Sequence, residues 1–147
     1  MVAELVLVRS MRRLVLLLLI VVASPLLSDI VRGYFASGKM DNKQVEFKAS
    51  AGDILRTPVW KSDADFPPLS ARKAQDIARR KMQELLGSGK EPWRLEETSI
   101  IDLGDGAHFA YVIQFVEQPS TGCISCDFVR VLVLMDGSIP SPTIKPF

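Results

Sequence analysis

Between Ser70 and Gly87 the chain reads "ARKAQDIARRKMQELL", and no other stretch restricts the fold as tightly. Ala71, Ala74, Ala78, Met82 and Leu85 recur three or four residues apart, with Ile77 and Leu86 widening the same stripe. That spacing sets them on one face of an α-helix. Ser70 can accept from the free amides of the first turn, and Gly87 can take the left-handed conformation that closes the last. The opposite face carries Arg72, Lys73, Asp76, Arg79, Arg80 and Glu84. A solvated face has this mixture; Arg72, Arg79 and Arg80 are also the candidate contacts for an anionic surface. An apolar stripe of this kind must be buried, and a sheet is the natural surface to cover it.

Past "GSGKEP" the period drops to two. Trp93, Leu95, Ser99, Ile101 and Leu103 share one side, and Arg94, Glu96, Thr98 and Asp102 the other, which predicts a strand facing a core. "GDG" at 104–106 supplies the positive-φ residues of a tight turn, and "HFAYVIQFVE" continues as the second arm of a hairpin. The third arm, "FVRVLVLM" from Phe128 to Met135, is nearly all apolar, so it is expected to be a central strand covered on both faces. Asp136 and Gly137 make a further turn. Pro140, Pro142 and Pro146 leave room for no more than a short edge segment after it.

The expected architecture is therefore α+β: one main helix on a three- to four-stranded antiparallel meander, preceded by an N-terminal signal or anchor helix. With 147 residues and 48% apolar content, one domain is what the chain can build. The organisation expected is a leader over residues 1–27, a linker or extended arm over 28–68 and the α+β domain over 69–147. Within the arm, Val45, Phe47 and Ala49 alternate with Glu46 and Lys48 as in a short half-buried strand. Trp60 and Phe66, among Pro58, Pro67 and Pro68, are expected to press onto the domain.

The leader places Arg9, Arg12 and Arg13 before the apolar run Leu14 to Val22 and the small residues Ala23 and Ser24, the order of a secretory signal. Val21 and Ala23 fit a cleavage site before Ser24. Uncleaved, the stretch would act as an anchor, although Leu14 to Leu27 is shorter than the ~20 residues of a usual span. Either way, the rest of the chain is expected outside the cytoplasm, periplasmic or secreted. Removing residues 1–23 leaves 15 basic against 16 acidic residues. Such a balance offers nothing to nucleic acid, and any membrane contact is expected through the leader.

"LSARKAQDIA", "AYVIQF" and "VLVLMDGSI" together make residues 69–140 resemble the small PepSY-like domains of bacterial exported and membrane-tethered proteins. The resemblance implies one helix on an antiparallel sheet acting as a binding or regulatory module, with control of a peptidase proposed for some relatives. The arm at 28–68 and the long loop "EQPSTGCISC" depart from that pattern.

Cys123 and Cys126 are the chain's two cysteines. They precede a strand, not a helix, and Asp127 next door opposes a thiolate, so a redox thiol lacks its usual activation. A structural zinc site wants four ligands, and Cys123, Cys126 and His108 supply three. A disulfide stapling the loop suits an oxidising compartment and is the reading adopted. No serine has a nucleophile-elbow setting, His108 is expected at an exposed strand start, and no glycine loop cradles phosphate. The expectation is a non-catalytic exported or tethered binding module, with no metal or cofactor and a protein or peptide as partner. The alternative is an extracytoplasmic thiol-redox or metal-binding protein centred on Cys123 and Cys126.

Overall fold

The computed structural model describes residues 33–61, 63–87, 93–118 and 126–146. The elements are β1 (Tyr34–Met40), β2 (Lys43–Ala49), α1 (Ala51–Leu55), α2 (Ala71–Leu86), β3 (Trp93–Asp102), β4 (Phe109–Glu117), β5 (Phe128–Leu134) and β6 (Pro142–Pro146). The leader lies outside the described residues.

The expected fold class is overturned. The strands form two three-stranded antiparallel sheets, ordered β1-β2-β6 and β3-β4-β5, beside one helix of 5 residues and one of 16. The fold is mostly β and resembles a small β-sandwich, not one helix on a single meander. The additional sheet comes from residues 34–49 and 142–146, which belong to the same compact unit as the rest of 32–147.

That sheet is hard to hear in the sequence for physical reasons. The buried positions of β1 are Ala36, Gly38 and Met40, two of them too small to register as hydrophobic alternation. Its hairpin turns on Asp41 and Asn42, whose φ of 52° and 58° are the paired positive values of a two-residue turn matched to strand twist. β2 follows the alternation that its sequence shows: Val45, Phe47 and Ala49 are fully buried. β6 is an edge strand with prolines at both ends, where a missing amide costs no ladder bond.

Strands β1 and β5 lie against each other where the two sheets meet. Gly38 makes the approach possible. A Cβ added there would overlap the Phe128 carbonyl oxygen and sit 2.5 Å from Val129 Cα, which is backbone and cannot step aside. Lys39 and Asp127 bridge the same two strands at 3.3 Å.

β5 is buried on both sides, although it ends its sheet and β4 is the central strand. Val129, Val131 and Val133 alternate with Leu132 and Leu134, all at most 2% exposed. Helix α2 covers β4 and β5 from one side, and Ala74 and Ala78, both fully buried, let its axis come close. Ser70 Oγ accepts from Lys73 N at the start, and Gly87 ends the helix with φ 68°. Just before the helix, the Leu69 carbonyl accepts from the buried Tyr111 hydroxyl at 2.8 Å, tying the helix entry to β4. Burial raises the Tyr111 pKa.

One irregularity decides which side chains share a face. A β-bulge between Leu95 and Glu97 breaks the register of β3 on β4, where Leu95 opposes Phe115 but Glu97 opposes Gln114. The expected faces of β3 are exchanged past that point: Thr98 and Ile100 join Leu95 toward α2, and Glu97, Ser99 and Ile101 face the other way. Gln75 of α2 donating to Thr98 Oγ1 at 3.1 Å fixes the assignment.

Candidate functional site: a groove beside a free strand edge

Helix α2 lies over β4 and β5, so the helix-side face of β3 is left partly open. Among the described residues β3 pairs only with β4, and its outer edge carries unspent main-chain donors and acceptors. Between that edge and the C-terminal half of α2 runs an open groove of about 430 Å³. Met82 and Leu86 of α2, Trp93 and Leu95 of β3, and Phe115 of β4 line it, with Arg79 and Gln83 at the helix side. Trp93, Leu95 and Leu86 are half-buried, and Ile100, further along the same face, is 43% exposed. Apolar side chains are thus set beside an open edge, an arrangement that can take an extended segment by main-chain pairing with one side chain in the groove.

The opposite face of the same strand is polar. Tyr34, Glu97, Ser99, Ile101, Val112, Gln114 and Arg130 surround a depression of about 220 Å³. Gln114, one of its lining residues, donates to Glu96 Oε2 at 2.7 Å and accepts from Arg130 Nε at 2.8 Å. The Arg130 guanidinium is also held over the Phe128 ring, 5.0 Å from its centroid.

The sequence-derived candidates sit as follows. Arg72, Arg79 and Arg80 are all exposed on α2, and Arg79 pairs with Asp76 at 3.4 Å. Cys123 lies outside the described residues; Cys126 precedes β5 and is not a free thiol. Among the described residues no three His, Cys, Asp or Glu side chains gather as a metal site would require.

His108 departs from its expected exposure, being 93% buried at the end of the β3–β4 turn. Its Nδ1 lies 2.5 Å from Asp105 Oδ2, while Asp105 Oδ1 accepts from the amides of Ala107 at 2.9 Å and His108 at 2.8 Å. Asp102 Oδ1 accepts from Gly104 and Gly106, and the Ala107 carbonyl accepts from Trp60 N at 2.9 Å. Trp60 in turn meets Phe109 edge to face at 5.0 Å. The spacing of acids in "DLGDGAH" is the sequence signal for this turn, since Asp carboxylates commonly bind main chain a few residues on.

Burial alone would raise the Asp105 pKa, but the His108 ring and the Ala107 and His108 amides outweigh it and hold the carboxyl below its ordinary value. A carboxyl lowered in the fold adds stability that is complete above the unfolded pKa of about 3.9 and lost as pH falls through the folded value. Urea titrations are expected to show the wild type losing its advantage over Asp105→Asn once pH drops below about 4. An advantage that stays constant down to acid pH would contradict this account.

Comparison with protein-family models, with curated proteins and with solved structures finds no match.

Proposed function

We propose that this chain is a non-catalytic binding module, exported or held at the membrane by its leader, that takes an extended peptide along the edge of β3. The observation that carries the reading is the groove between α2 and β3. It is lined mainly by apolar side chains, open to solvent and set directly beside a strand whose outer edge is unpaired among the described residues. In such a site the main chain of the ligand supplies pairing common to any sequence, and alternate side chains supply selectivity. Helix and strand hold the groove on rigid elements, so little ordering of the protein opposes binding.

The test uses a neutral probe, acetyl-Val-Thr-Phe-Thr-Val-amide, titrated into the protein and followed by amide and indole NMR shifts. Changes are expected in Trp93, Leu95 and the amides from Glu97 to Asp102. Filling the groove mouth with Gln83→Trp, a substitution at an exposed helix position, is expected to weaken binding about tenfold, the loss of one well-buried apolar contact. Shifts confined to other surfaces, or affinity untouched by Gln83→Trp, would remove the groove as the site.

A further inference from the structure

Helix α2 carries its charges in the order opposite to the one its own dipole favours. Acids steady the first turn of a helix and bases the last. In α2 the first turn has no acid and the last no base, while Arg72 and Lys73 stand at the second and third helical positions. Nothing in the fold compensates them. Arg72, Lys73 and, two turns on, Arg80 are exposed, and their side chains form no hydrogen bond or ion pair with any described residue. A local rule broken without a structural return marks a functional position.

The unspent charges of this face are all of one sign. Both its acids are taken, Asp76 by Arg79 at 3.4 Å and Glu84 by Lys81 at 2.9 Å. At 3.6 residues per turn Arg72, Lys73 and Arg80 fall within about a third of the circumference, away from the buried Ala74, Ala78 and Met82. Where the helix meets β3 the contact is neutral, Gln75 to Thr98; Glu97 is on the far face of that strand and Glu96 is held by Gln114. In the segment leading into the helix, Lys61 offsets one of Asp63 and Asp65, so that a net of −1 there stands against +3 on the helix. The same segment holds Phe66, at 84% the most exposed of the described large apolar side chains. Bases in a row, entered through an uncovered aromatic, suit the boundary between water and lipid.

Resting on the reading that the leader keeps the chain at a membrane, and not on the peptide groove, we infer that the outer face of α2 docks on anionic lipid, with Arg72, Lys73 and Arg80 against headgroup phosphates. The apolar stretch of the leader ends at Leu27 and β1 starts at Tyr34. A chain of that length spans about 25 Å at most, so a protein held by its leader has this domain close enough to turn the face to the headgroups. Each base near an anionic surface contributes about fivefold to the partition, which is weak for a free protein and sufficient for a tethered domain.

The test places the full-length protein in nanodiscs of phosphatidylcholine, alone or mixed with phosphatidylglycerol, each doped with a gadolinium-chelate lipid, and follows the broadening of amide NMR signals. The amides of Phe66 and of Arg72 to Arg80 are expected to broaden about fivefold more in the anionic discs than in the neutral ones. The contrast is expected to vanish at ~1 M salt, where the screening length falls to about 3 Å. Arg72→Gln, Lys73→Gln and Arg80→Gln together are expected to remove it without lowering the melting temperature, because the first two relieve the dipole. Lys43→Gln, Lys48→Gln and Lys61→Gln, an equal loss of charge at exposed positions elsewhere, leave it standing.

A contrast that survives the α2 substitutions, or that the second set removes equally, overturns the inference, as does broadening centred on another face. A lower melting temperature of the α2 variant means that these cations serve the fold, and overturns it too. If oligothymidylate shifts the α2 amides and anionic lipid does not, the face is a nucleic-acid site and the inference falls. If the protein enters both kinds of disc with no contrast at α2, the inference falls and the membrane tether survives; if it enters neither, both fall.

Discussion

Phe47→Ala is expected to cost about 3–5 kcal/mol of folding stability, read as a fall in the urea midpoint with an unchanged slope. Phe47 is fully buried in β2, between Val45 and Ala49 on the same buried face. Removing its ring takes away the transfer energy of a large side chain and leaves a cavity that rigid strands fill poorly. The measurement also distinguishes the two architectures. Were residues 34–49 an arm loosely attached to a helix-on-meander domain, their truncation would leave the main unfolding transition where it was.

Gly38→Ala is expected to be nearly as damaging, at about 3 kcal/mol or more, although it adds a single methyl group. The methyl would meet the backbone of β5 at Phe128 and Val129, not the tip of a flexible side chain. Relief requires β1 to move away from β5, which opens the core beneath Ala36 and Met40 and strains the Lys39–Asp127 bridge. Circular dichroism melting of Gly38→Ala beside Ser37→Ala, a half-buried position in the same strand, separates backbone crowding from strand propensity. Equal melting temperatures for the two would show that the approach of β1 to β5 is not close-packed.

Parts of the chain announce their structure, and the reasons are local. Ser70 and Gly87 bracket α2 because a hydroxyl acceptor and a positive-φ residue are what its two ends need. Glycines 104, 106 and 137 mark turns because their φ values of 107°, 68° and 86° exclude most other residues. By contrast, β1 carries its instructions in smallness: Gly38 is there for a neighbour about 90 residues away, and no periodicity records that.

The same holds for the site. The apolar residues of β3 are visible as alternation, but the bulge at Glu96 that turns Glu97 away from Leu95 is set by pairing with β4. The groove was illegible in advance because it depends on where α2 comes to rest over the sheet. That Gln114 engages Glu96 and not Glu97 is likewise set by the pairing of β3 with β4. His108 is buried for two reasons: the Asp105 carboxylate that holds its ring is local and signalled by the acids of the turn, whereas the bond from Trp60 N to the Ala107 carbonyl comes from tertiary structure.

The pairing of β2 with β6 joins residues as far apart as Glu46 and Lys145. Its sheet is completed by a segment from the far end of the sequence, so a nascent chain has to hold the β1–β2 hairpin half-made while everything between is synthesised. Closure over so long a loop slows folding far more than it lowers stability. The fold is thus closed last by residues 142–146, and until they arrive β2 keeps one edge without a partner.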